Sequence, residues 1–171
     1  MSSGNVRTLY DVNDDKQLDL NVKRVDNLLA EFEANDCSVM LLSSEFFFRR
    51  MDELKEHIPN AKFIAYIRNP MEIKESSYNQ SVKRHFQLAK INTGRSKRLP
   101  YMARLVEFAH ANHTRDLCIR LYGNKYFKNG NIVSDLLSVV GIELDVSLPV
   151  VNSSYQFEAL EFKRWFNQFE L

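Results

Sequence analysis

Residues 62–78 read KFIAYIRNPMEIKESSY, and this stretch decides the fold. Phe63 to Ile67 is a short, nearly unbroken apolar run with aromatic and β-branched residues, the pattern of a strand covered on both faces in a parallel sheet. Arg68 therefore stands at the strand's carboxyl end. Asn69 is a good N-cap, Pro70 suits the first helical position and Glu72 completes an N-x-x-E capping box, so a helix is predicted from Pro70 to about Lys90. A guanidinium and the backbone donors of a helix start then converge at one spot, which suits a phosphate. The same residues also serve as an ordinary strand-to-helix turn.

Working outward, Cys37 to Leu42 has the composition of another buried strand, and it ends in Ser43-Ser44-Glu45. A helix over about Phe46 to His57 would connect it to the arginine-bearing strand as a β-α-β unit. Leu117 to Tyr122 reads as a further strand, and Asn131 to Val140 as a helix closed by Gly141. Two more helices are predicted from apolar residues at helical spacing. One covers Val22 to Phe32; the other covers Tyr101 to Ala111, with Leu105, Phe108 and Ala109 inward. After Pro149, Ser153-x-x-Gln156 starts a terminal helix whose stripe of Ala159, Phe162, Phe166 and Phe169 is expected to pack in the core. Residues 1–16 are polar and irregular and are expected to be flexible. No repeat or linker interrupts the chain, so residues 1–171 are read as a single α/β domain, a parallel sheet flanked by helices.

Arg68-Asn69-Pro70 with Ser76 and Tyr78 resembles the 3′-phosphate-binding segment of sulfotransferases that use 3′-phosphoadenosine 5′-phosphosulfate. The segments CIRLYG, KYFKNGN and VGI resemble their counterparts in bacterial carbohydrate-type members, so the resemblance runs from about Cys37 to the C-terminus. It implies a P-loop-type fold with Arg68 and Ser76 on the nucleotide's 3′-phosphate. The co-substrate would be 3′-phosphoadenosine 5′-phosphosulfate, no metal would be needed, and the acceptor would be a hydroxyl or amine on a carbohydrate. Glu45 precedes Arg68 by nearly the interval that separates base from phosphate arginine in cytosolic sulfotransferases, where the base is histidine. Glu45 is thus a candidate base, and a carboxylate at that place equally suits the positive end of a helix dipole.

The family's loop for the 5′-phosphosulfate has no counterpart in this sequence, and no G-x-x-x-x-G-K-[ST] occurs. The sequence therefore leads one to expect a sulfotransferase-like fold incomplete at the N-terminus, a fragment or degenerate form inactive by itself. The alternative is a non-catalytic nucleotide- or glycan-binding or interaction module on the same fold. Uncovered sheet edges would favour a homodimer or larger self-association.

With 44% hydrophobic and 26% charged residues and a net charge of +1, the chain lacks the global field that nucleic acid or anionic membrane would call for. No apolar run approaches the roughly 18 residues of a membrane span and no signal-type segment opens the chain, so a cytoplasmic protein is expected. Lys83, Arg84, Lys90, Arg95, Lys97 and Arg98, with His85 and Phe86 among them, form either a solvated face and loop or a site for an anionic ligand. His57, His85, His110 and His113 lack metal-ligand spacing, and Cys37 and Cys118 are expected to pack as buried thiols.

Overall fold

A computed structural model describes residues 5–15, 17–92, 94, 100–112, 114–144 and 154–170. Its contacts fall into two compact units, Met1–Ala65 with Arg104–Ile119, and Tyr66–Ala103 with Arg120–Leu171. The sheet at the centre of the functional reading is a parallel pair, β3 (Phe63–Ile67) with β4 (Leu117–Leu121), flanked by helices.

The first unit begins with α1 (Val6–Leu9) and an antiparallel hairpin of β1 (Tyr10–Val12) and β2 (Leu18–Leu20), in which Tyr10 faces Leu20 and Val12 faces Leu18. Asn13 closes the hairpin by accepting the Gln17 N–H on its side chain at 2.8 Å. This segment supplies Val6, Leu9 and Tyr10 to the core. They pack with Val25 of α2 (Val22–Ala34) and Leu54 of α3 (Met51–His57). Asn21 caps α2 by accepting from Arg24 N–H, and the expected inward stripe reaches the core through Val25, Leu28 and Leu29. A 3₁₀ turn at Phe47–Arg50 leads into α3. Leu105 and Phe108 of α5 (Pro100–Asn112) are buried as expected, with Phe108 edge-on to Phe63 at 4.9 Å between ring centres.

Segment 37–42 is not a strand. Its backbone finds no ladder among the described residues. Instead Ser43 exchanges two bonds with Asn5, donating N–H to the Asn5 side chain and accepting the Asn5 N–H on its carbonyl, both at 2.8 Å. Val39 and Leu41 are exposed, and so is Cys37, contrary to the buried thiol expected there. Composition alone favoured a strand, but a strand exists only where a neighbour accepts its hydrogen bonds.

In the second unit, α4 (Pro70–Arg84) packs on α7 (Phe157–Phe166), with Tyr78, Val82 and Leu160 at the contact. α4 stops at Arg84, short of the expected Lys90. The buried Asn167 amide donates to the carbonyls of Val82 (2.9 Å) and Gln87 (3.2 Å), while Phe86 turns the chain at φ 50°. Gln156 is the N-cap of α7; Ser153 of the predicted capping box lies outside the described residues. The aromatic stripe of α7 is not core: Phe162 and Phe169 are both 64% exposed, and Trp165 and Phe166 are exposed beside them. The inward face is Leu160, Glu161, Arg164 and Asn167. These polar groups are bonded to α4 or the loop after it, or to each other. α6 (Ile132–Val139) is capped by Asn131, whose side chain accepts from Val133 and Ser134.

Candidate functional site

Arg68 follows β3, whose last residue accepts the Tyr122 N–H on the Ile67 carbonyl at 2.8 Å. Its Nε lies 3.1 Å from a Glu72 carboxylate oxygen, and its guanidinium carbon 5.2 Å from the centre of the Tyr122 ring. Asn69 caps α4 as its sequence implied, taking the Met71 N–H on its side chain at 2.9 Å, while Ile73 donates to the Asn69 carbonyl at 3.0 Å. Because Pro70 has no N–H and Met71 spends its own on the cap, the start of α4 offers fewer backbone donors than the sequence suggested. The guanidinium is thus the main donor group at this position. Lys125 adds charge nearby. Its ammonium is held above the ordinary lysine range, first by its hydrogen bond and charge interaction with Tyr126 and in smaller part by Glu72.

Ser76 lies farther along α4, half-buried, where it lines a narrow cleft of about 60 Å³ with Asn79, Gln80, Lys83, Arg84 and Ser154. Arg68 is not part of that lining. The structure thus sets Arg68 against Glu72 and Tyr122, and Ser76 against the basic side chains of the helix's second half. Of the basic cluster singled out in the sequence, Lys83 and Arg84 line this cleft; Arg95, Lys97 and Arg98 lie outside the described residues.

Glu45 is exposed and belongs to the first unit, whereas Arg68 and Ser76 belong to the second. It precedes the 3₁₀ turn instead of lying in a first helical turn, and Ser44 starts that turn by accepting the Phe46 N–H at 3.2 Å. The dipole explanation for this carboxylate therefore loses its helix end.

The most tightly held charge in the second unit escaped the sequence reading. Asp135, in the first turn of α6, is fully buried. Its carboxylate accepts from Tyr66 O–H at 2.8 Å, from Lys128 N–H at 2.9 Å and from two nitrogens of Arg120, Nε at 3.1 Å and Nη2. The Arg120 hydrogen bonds, with help from Lys128 N–H and Tyr66, hold the carboxyl down at about 2 against the opposing effect of burial. Arg120, near the carboxyl end of β4, is thereby committed to Asp135. From sequence, an Asp four residues after an Asn cap looks like a first-turn carboxylate facing solvent. Tyr78, Glu161 and Arg164 form a second such set. Tyr78 O–H donates to Glu161 at 2.5 Å, Arg164 Nε donates to Glu161 at 3.0 Å, and burial together with the carboxylate pushes Tyr78 up to about 12.

Among the described residues no group of three or more His, Cys, Asp or Glu is placed to hold a metal ion, and no helix is long and apolar enough to cross a membrane. No family model and no solved structure matches the chain. An uncharacterized protein of Archaeoglobus fulgidus is 28% identical over 111 residues, a match that takes in 61% of this chain and 31% of that relative's length.

Proposed function

We propose that the chain is the nucleotide-binding part of a cytoplasmic sulfotransferase that moves a sulfuryl group from 3′-phosphoadenosine 5′-phosphosulfate to a hydroxyl or amine of a carbohydrate. The observation that carries this reading is the order parallel strand, Arg68, capped helix, with Arg68 beside the aromatic ring of Tyr122 at the end of the neighbouring strand. In open α/β sheets ligands gather at the carboxyl ends of the strands, and a guanidinium there suits the paired hydrogen bonds of a phosphate. The acceptor's oxygen or nitrogen attacks sulfur, the bond from sulfur to the nucleotide's bridging oxygen breaks, and the acceptor's proton passes to a base, for which Glu45 is the candidate. In a longer protein that supplies the phosphosulfate loop, Glu45→Gln should lower transfer and leave nucleotide affinity unchanged.

Calorimetric titration with 3′-phosphoadenosine 5′-phosphate tests the binding step. Arg68→Ala should abolish binding, because loss of a charged partner costs several times a neutral hydrogen bond. Glu72→Gln should tighten binding by roughly two- to fivefold, since the exposed Arg68–Glu72 pair competes with the ligand. Wild-type affinity in Arg68→Ala would overturn the assignment.

A further inference from the structure

The outer face of α7 and of the turn after it is aromatic. Ala159, Phe162, Phe166 and Phe169 follow one another at intervals of three, four and three, the spacing of a seam that packs on a partner helix, and Trp165 lies beside them. All five are exposed. Their rings form one surface: Phe162 lies 6.0 Å from Trp165 and 6.3 Å from Phe166 between ring centres, and Phe169 lies 5.1 Å from Trp165 and 6.1 Å from Phe166. Lys163 extends it, with its ammonium 5.8 Å from the ring centres of both Phe166 and the exposed Phe86.

Directional bonds on the opposite side of α7 keep this face outward. Tyr78 O–H donates to Glu161, Arg164 donates to the Leu88 carbonyl at 2.8 Å, and the buried Asn167 amide donates to the carbonyls of Val82 and Gln87. Turning the helix to bury its rings would break all of these. The four rings are between 41% and 64% exposed, and with Phe86 they leave roughly 500 Å² of aromatic surface at ~200 Å² for each side chain. Two copies together would bury about 1,000 Å², the area a specific interface requires, before the rim adds to it. Charge narrows the occupant further. Between Phe157 and Glu170 the acids are Glu158, Glu161 and Glu170 and the bases Lys163 and Arg164, with Lys163 paired to Glu170 and Arg164 to Glu161. An anionic lipid surface calls for a cationic excess that this helix lacks, and a strongly charged protein partner would find no opposing field. A second copy brings the same rings and the same balance of charge.

We propose that the aromatic face of α7 is a homodimer interface, in which Phe162, Trp165, Phe166 and Phe169 pack against the same residues of a second copy about a two-fold axis. Self-association then belongs to this helix and not to the sheet edges. It is independent of the nucleotide reading, because it uses none of Arg68, Ser76 and Glu45.

Trp165 is the chain's single tryptophan, so its fluorescence reports on this face alone. Sedimentation velocity and Trp165 emission of the whole chain, both followed through a dilution series, test the proposal. Dimerisation should raise the sedimentation coefficient and shift the emission to the blue at the same midpoint, with Trp165 shielded from acrylamide in the dimer. Phe162→Glu and Phe169→Glu should each raise the dissociation constant at least about thirtyfold, because an aromatic anchor is lost and like charges enter from both copies. Both side chains are exposed in the single chain, so the circular dichroism of these variants should match the unaltered protein. Leu121→Lys, at the exposed end of β4, should leave the dissociation constant within about twofold. A monomer at every concentration would overturn the proposal, and a blue shift of that monomer on vesicles of phosphatidylcholine and phosphatidylglycerol would give the face to a membrane instead. A dimer that survives both glutamate substitutions would equally overturn it, and its loss in Leu121→Lys would return the contact to the sheet edge.

Discussion

Among the described residues, the largest side chains lost from solvent altogether are Tyr10, Phe108, Leu9 and Val25 in the first unit, and Val82, Asn167, Asp135 and Ser134 in the second. One unit buries hydrocarbon and one aromatic hydroxyl, while the other adds to Val82 polar groups whose partners must be matched. Apolar burial is non-directional and scales with area, so it tolerates reshaping. Buried polar groups are directional, and losing one partner leaves the other unsatisfied at higher cost than the bond was worth. The two units should therefore fail differently.

The largest effect is expected at Asp135. Asp135→Ala removes the carboxylate that Tyr66, Arg120 and the Lys128 N–H share, and should destabilise the second unit by about 3–4 kcal/mol, the lower part of the range for a broken buried pair because Arg120 is partly exposed. Hydrogen exchange should show protection lost around Arg120 and α6 first. Leu9→Ala should cost about 3 kcal/mol in the first unit by removing buried hydrocarbon and leaving a cavity, read as early exchange in α1 and the hairpin. If either substitution loosened both units equally, the contrast would fail.

Acid sharpens it further. Asp135 and Glu161 are both held below the ordinary carboxylate range, so their contribution is present at neutral pH and is lost in acid, for Asp135 as pH falls below about 4 toward about 2. In a denaturation series across that window, Asp135→Asn should flatten much of the second unit's decline. Tyr78 works at the other end: its raised value contributes stability below about 10 that is lost as pH rises toward about 12.

The smallest expected effect is a gain. Phe86 occupies the left-handed region at φ 50°, which costs a non-glycine residue roughly 1–2 kcal/mol. Phe86→Gly should relieve that strain, partly offset by the extra freedom of glycine in the unfolded chain and by loss of the ring near Lys163, for a net gain of about 0.5 kcal/mol in thermal or denaturant melts.

The same contrast explains what the sequence revealed. Elements with local signals were legible: Asn69-Pro70 fixed the start of α4, Asn131 that of α6, and the run Phe63–Ile67 is β3 residue for residue. The inward face of α7 was not, because helical spacing fits Leu160, Glu161, Arg164 and Asn167 as well as it fits the phenylalanines. Only the partners on α4 decide between them. The N-terminal hairpin was missed because strands of three residues are too short for periodicity to register, although Tyr10, Val12, Leu18 and Leu20 alternate around a turn-rich N-D-D-K. At the candidate site, residue types and spacing pointed to Arg68 and Ser76. That Arg68 would engage Glu72, and Ser76 a cleft with Lys83 and Arg84, depends on side-chain directions that the spacing does not encode.

The central functional claim is that the chain recognises the 3′-phosphate of an adenine nucleotide, and calorimetry comparing 3′-phosphoadenosine 5′-phosphate with 5′-AMP on the unaltered protein tests it most directly. The two ligands differ only in that phosphate. The account predicts measurable binding of the bisphosphate and at least about tenfold weaker binding of 5′-AMP, the loss expected when charge-assisted hydrogen bonds to one phosphate are removed. Equal affinity for the two, or no heat with either, would contradict it.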